Sequence, residues 1–228
     1  MGLVTLFATD RGDLLGRSVY AVLQKYDALI SNLAANRQRQ SFSVRSRKYN
    51  MLVDNLREFM KNEINRILNR LIEQCKPAEI VVERLNFQNP NLSKRMNRLL
   101  SWFGKSYVTK KLVALNEGFG IVITHTNPAY SSQECNVCGY VDKNNRVSQS
   151  VFKCKCCNSG IHADVNGARN HLARSSCKVI NVYKSKLAVL RILTERFLSN
   201  TERIPRLYSK AKGLLPGNPY FKDAFGTA

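Results

Sequence analysis

Four cysteines stand in two matching pairs, Cys135-x-x-Cys138 and Cys154-x-x-Cys157, with fifteen residues between them. Each C-x-x-C turn presents two thiolates to one side. Two such turns close a tetrahedron around a zinc ion with no open position, which is a structural site. Gly139 follows the first pair and supplies the tight backbone of the turn. Cys156 competes for a place in the second pair only at a less favourable spacing, and Cys75, Cys177 and His162 read as incidental or surplus. A ribbon this small has almost no core, so metal binding is expected to supply its folding energy, of order 10–16 kcal/mol.

Two carboxylates carry the other chemistry. Glu83 ends the apolar run Ile80-Val81-Val82, and Asp164 opens a helix after the cysteine segment. Phosphodiester cleavage by two Mg²⁺ ions, held about 4 Å apart, takes carboxylates at strand ends and on a facing helix. Each acid also has a plainer reading, as a solvated strand end or a helix cap. His125 and His171 read as surface or structural residues.

The elements that must position these groups follow from periodicity. Leu3 to Thr9 is rich in strand formers and precedes the turn Asp10-Arg11-Gly12-Asp13, so a β-hairpin is expected. Two amphipathic helices follow, carrying Val19, Val22, Leu23, Tyr26, Leu29, Ile30 and Leu33 in the first and Leu52, Val53, Leu56, Met60, Ile64, Ile67, Leu68, Leu71 and Ile72 in the second, joined by the basic connector Arg37 to Lys48. Lys76-Pro77 ends the second helix. Buried strands are expected at Ile80–Val82 and Ile121–Thr124, with helices over Pro90–Phe103 and Ser106–Phe119 separated at Gly104. Alternating strands and helices give an α/β class, and the order fits a ribonuclease H-like (RuvC) domain with a helical hairpin insertion and an inserted ribbon. The expected organisation is a nuclease domain over 1–131 with the hairpin at about 17–75, a ribbon over 132–161, a final helix within 162–177, and a tail over 178–228. In the tail periodicity weakens and Pro205, Pro216 and Pro219 interrupt the chain.

The 228 residues hold 36 Lys and Arg against 16 Asp and Glu, a formal charge of +20. Self-repulsion at that excess points to a polyanionic partner. No apolar run reaches the ~18 residues of a membrane span, and no secretory leader is present, so the reading is a cytoplasmic, nucleoid-associated protein. Clustered cysteines, seven in all, fit a reducing compartment and metal binding.

Three segments together resemble the TnpB (OrfB) family. They are Ile80-Val81-Val82-Glu83-x-Leu85-Asn86, then Asn127-Pro128-Ala129-Tyr130-x-Ser132-Gln133-x-Cys135-x-x-Cys138-Gly139-Tyr140, and Ala163-Asp164-Val165-Asn166-Gly167-Ala168-Arg169-Asn170. The resemblance covers roughly residues 2 to 175 and its motifs occur in order. It implies a Mg²⁺-dependent, RNA-guided DNA endonuclease encoded by an insertion sequence, similar to the ancestors of type V CRISPR effectors. The guide RNA would derive from the transposon end. Glu83 and Asp164 would be metal-binding catalytic acids, and Cys135, Cys138, Cys154 and Cys157 would hold the zinc of a target-nucleic-acid-binding ribbon. Asn158 stands where the family usually has Gly. The family's first motif is Gly-aliphatic-Asp-x-Gly, and Gly2 matches its last residue, so its Asp would lie immediately before Met1. Asp10 and Asp13 are poor substitutes because they fall in the hairpin turn. As given, the chain is therefore expected to be inactive. A transposon remnant, a misassigned start and a nuclease-dead nucleic-acid-binding protein all remain open.

Between Arg84 and Asn116 lie Arg84, Lys94, Arg95, Arg98, Lys105, Lys110 and Lys111 with no acid. A second acid-free stretch, Val165 to Thr194, includes Arg169 and Arg174. These are the candidate phosphate contacts, since solvated faces usually mix signs. Trp102, Phe103 and Tyr107 lie within the first stretch and suit base stacking or, better, helix packing.

Overall fold

The computed structural model describes residues 5–83, 91–202 and 205–225; for 101–105, 205–208 and 225 it describes the backbone only. Two compact units form, one from Met1–Phe7, Leu14–Ile80 and Leu85–Ile123, the other from Ala8–Asp13, Val81–Arg84 and Thr124–Ala228.

In the first unit, α1 (Val19–Arg39) and α2 (Arg47–Cys75) form the expected helical hairpin. Their apolar stripes bury Val19, Leu23, Ile30, Leu56, Met60 and Ile64. Ser46 caps α2 by accepting the Tyr49 N–H, and Lys76 ends it at φ 42° before Pro77. A short hairpin of β1 (Phe7–Ala8) and β2 (Leu14–Leu15) precedes α1. It occupies the expected place, while the expected strand's beginning lies outside the described residues. Gly16, at φ +72°, ends the hairpin where a Cβ would lie 2.7 Å from the Leu6 Cβ. No side chain fits there.

After β3 (Glu79–Glu83), α3 (Lys94–Phe103) is capped by Ser93, whose hydroxyl accepts the Met96 N–H and is itself fixed by Asp27. The expected break at Gly104 is instead a π-helical turn, Gly104–Val108, that carries the chain straight into α4 (Thr109–Phe119). Gly120, at φ 65°, closes α4 ahead of β4 (Val122–Thr126), which pairs with β3.

The second unit holds β5 (Val151–Lys153) and β6 (Gly160–His162), antiparallel with Phe152 opposite Ile161. Helix α5 (Ala163–Ser175) follows without a linker. The tail is not irregular. It forms α6 (Lys186–Glu202), α7 (Pro205–Leu214) and α8 (Pro219–Phe225). Phe197 and Ala211 from these helices are buried against Tyr140, Phe152 and the cysteines. A neighbouring cluster joins Val189, Leu190 and Leu193 of α6 to Ile180, Val141 and Ala224. The cysteine segment therefore has a core, supplied from the tail.

Among the described residues the strands form three two-stranded sheets. This mixture of helices and small sheets agrees with the α/β class. No helix among the described residues is long and apolar enough to cross a membrane.

Candidate functional site

The cysteine pairs sit on two turns with the same hydrogen-bond pattern. Cys135 N–H donates to Tyr140 O at 3.0 Å and Gly139 N–H to Cys135 O at 2.8 Å. Cys154 N–H donates to Ser159 O at 2.9 Å and Asn158 N–H to Cys154 O at 3.1 Å. Gly139 at φ +81° and Asn158 at φ +61° occupy equivalent left-handed positions. This explains why glycine suits the position and why asparagine, which tolerates that region better than other side chains, replaces it.

The four Sγ atoms lie within 4.8 Å of one another, with Cys135–Cys157 at 3.7 Å and Cys138–Cys154 at 3.5 Å. Zn–S bonds of about 2.3 Å in a tetrahedron set an S···S edge of about 3.8 Å. The quartet fits a zinc ion and is far too open for disulfides. Hydrogen bonds from the Cys138 and Cys154 side chains hold the Cys135 thiol far below its ordinary value, while the same crowding pushes Cys138 far up. Four thiols this close ionise together only around a cation. Cys156 is fully buried and outside the quartet, as its spacing implied.

Helix α5 links this cluster to the acids. Asn166 donates to Glu134 O at 2.8 Å and accepts the Asn136 N–H at 3.1 Å. Asn170 donates to Ser131 O at 2.8 Å and to Glu134 O at 2.7 Å. Both asparagines thus bind the segment leading into the first knuckle. Asp164 lies in the first turn of α5, and its Oδ1 accepts from Arg146 Nη2 at 3.2 Å. The His162 ring accepts the Asp164 N–H, so this histidine caps the helix and is not a ligand of the quartet.

Glu83 meets α5 through His171, whose Nε2 is 3.1 Å from its Oε2; the other ring nitrogen is 2.7 Å from Thr126 Oγ1. Burial pushes the Glu83 carboxyl up, but the hydrogen bond from His171 leads the opposing influences and the group falls to about 2. Asp164 and His171 are seven residues apart, so they share one face of α5 about 10 Å apart along its axis. Glu83 and Asp164 are thereby presented to the same helix face, and each is engaged by a basic side chain. His171 and Arg146 were missed by the sequence reading, since no local pattern marks a partner 88 or 18 residues away.

The basic residues divide. Lys94, Arg98 and Lys110 are exposed in the first unit, with Arg95 and Lys111 half-buried and Arg95 set 5.7 Å over the Tyr49 ring. Arg169 is exposed in the second unit and donates to Asp10 O at 2.9 Å. Arg174 corrects the expectation of a phosphate contact. It is buried, and its guanidinium donates to Asn127 O, Ala129 O and Glu134. Arg84 lies outside the described residues, as do the side chains of Lys105, Trp102 and Phe103. Asp13 bonds Thr9 within its own turn.

Residues 108–171, which contain the quartet and Asp164, match the Cas12f1-like, TNB domain family. A CRISPR-associated endodeoxyribonuclease Cas12f1 of Sulfoacidibacillus thermotolerans is 38% identical over 71 residues, 31% of this chain and 17% of its own. The putative RNA-guided DNA endonuclease InsQ of Escherichia coli K12 is 59% identical over 46 residues, 20% of this chain and 11% of its own. A TnpB-like protein of Aquifex aeolicus is 32% identical over 82 residues, 34% of this chain and 26% of its own. The matched segments thus span about a quarter or less of these relatives. With the cysteine quartet and the opening of α5 both inside the matched region, these similarities point to the TnpB family.

Proposed function

We propose that this chain carries the ribonuclease H-like (RuvC) catalytic segments and the zinc ribbon of a Mg²⁺-dependent, RNA-guided DNA endonuclease, associated with an insertion sequence and guided by RNA from the transposon end. The observation that carries the reading is the sharing of α5. One helix begins at the ribbon, bears Asp164 in its first turn, and holds Glu83 through His171 two turns later. The zinc of the quartet would fix the ribbon against that helix and take no part in the chemistry. Mg²⁺ bound by the acids would activate water and neutralise charge on the leaving oxygen. Glu83 and Asp164 would hold two faces of that centre. Lys94, Arg95, Arg98, Lys110, Lys111 and Arg169, with Arg84 and Lys105, would contact phosphates, which position nucleic acid without reading its sequence.

Guide-programmed cleavage of plasmid DNA with Mg²⁺ tests this, using the chain as it stands and with its upstream coding sequence included. Glu83→Ala and Asp164→Ala are expected to abolish cutting while zinc content stays at one per chain. Full activity of both variants defeats the assignment. A second reading, nucleic-acid binding without cleavage, is favoured by the pairing of both carboxylates with Arg146 and His171. Guide binding without cutting in either form would select it.

A further inference from the structure

The loop between α5 and α6 lies outside the segment that matches the Cas12f1-like family, and the proposed cleavage chemistry does not use it. Its sequence, Lys178-Val179-Ile180-Asn181-Val182-Tyr183-Lys184-Ser185-Lys186, has three lysines and no acid. It is a built turn. Ile180 is buried among Val189, Leu190 and Leu193. Asn127 Nδ2 donates to both Asn181 O and Lys184 O at 3.0 Å. Asn181 Oδ1 accepts the Tyr183 N–H at 3.1 Å, and Lys184 N–H donates to Asn181 O at 3.3 Å.

On this fixed turn Tyr183 is 93% exposed, flanked by the exposed Val179 and Val182. Lys178 and Lys186 are exposed and Lys184 half-buried. A single exposed apolar side chain is ordinary, but a cluster of three on a pinned backbone marks a contact surface. The chemistry on offer is an aromatic face with ammonium groups around it. Paired bases already stack on one another, so the face suits an unpaired base. An apolar protein groove would have to desolvate the lysines, whereas a nucleic acid strand neutralises them.

We propose that the Asn181–Lys184 turn is a stacking platform for single-stranded nucleic acid, with Tyr183 under a base and Lys178, Lys184 and Lys186 on the neighbouring phosphates. The proposal goes beyond the nuclease reading and does not depend on Glu83 or Asp164.

Fluorescence anisotropy on the zinc-loaded full chain tests it, with dT15, rU15, an abasic strand of equal length and a matched duplex. Tyr183→Ala is expected to weaken binding of dT15 or rU15 about tenfold and to leave the abasic strand and the duplex unchanged. Tyr183→Phe should retain wild-type affinity, and because the ring is exposed neither variant should change the melting temperature. A preference for dT15 or for rU15 upholds the platform and names the strand. Wild-type affinity of Tyr183→Ala for both base-bearing strands overturns it. So does an equal loss on the abasic strand, which would leave only a charged surface, or binding of the turn to a protein ligand with no response to oligonucleotides.

Discussion

Arg174 Nη2 donates to Glu134 at 2.6 Å inside the second unit, with 2% and 11% of the two side chains exposed. The other guanidinium arm donates to Asn127 O and Ala129 O, both at 2.7 Å. One residue of α5 therefore fixes the segment that leads into the first knuckle. Burial pushes the Glu134 carboxyl up, and Arg174 pulls the other way.

Arg174→Ala leaves a buried carboxylate and two carbonyls without their donor. A loss of about 3–5 kcal/mol is expected, read from urea unfolding of the zinc-loaded chain. The double change Arg174→Met with Glu134→Leu should recover much of it. Equal stability of the single variant and the wild type would show that the pair does not hold the fold.

At Asn158, which holds the left-handed position that Gly139 holds in the first turn, alanine and glycine have opposite expected effects. Asn158→Ala places an ordinary side chain at φ +61°, at a cost of about 1–2 kcal/mol, and should speed zinc loss to a chelator. Asn158→Gly should leave both stability and zinc retention near wild type. Faster zinc release from the glycine variant than from the alanine variant would contradict the shared-turn geometry.

Cys177 is a pH prediction. Burial raises its thiol, but N–H groups of Ile180 and Val179 and the Arg196 guanidinium, 3.0 Å from Sγ, outweigh it and lower the group overall. A lowered thiol ionises at lower pH, so alkylation of Cys177 should reach half its maximal rate below the ~8.5 of a free cysteine. Arg196→Met should move that midpoint upward. Peptide-resolved mass spectrometry of iodoacetamide labelling reads both, and a midpoint at the free-thiol value would remove Arg196 from the account.

Phe197 contributes a ring 5.2 Å from that of Tyr140 and is 2% exposed. Phe197→Ala should cost about 3–5 kcal/mol and lower the melting temperature of the zinc-loaded chain. A melting temperature within a degree of wild type would mean that the tail does not support the cysteine turns.

Local rules located most of what is local. The cysteine spacing gave the quartet, α5 falls within 162–177 as expected, and Lys76-Pro77 ends α2. The tail was illegible because α6 is covered on more than one side. Phe197 faces the cysteine cluster while Val189, Leu190 and Leu193 face another, which blurs the single apolar stripe that marks a helix. Gly104 reads as a break, yet a π turn carries the helix through it. Arg174 lies in an acid-free run and reads as a phosphate contact, because its acid, Glu134, is 40 residues away. A separation of 88 residues likewise hides the contact between His171 and Glu83.

The mingling of Phe197 and Ala211 with the cysteine cluster has a thermodynamic corollary. A ligand that binds only the folded form reports the folding equilibrium in its apparent affinity. Changes that loosen Phe197 or Ala211 should therefore register as weaker metal uptake although every thiolate is intact. A metal titration of this protein is also a measurement of its carboxy-terminal helices.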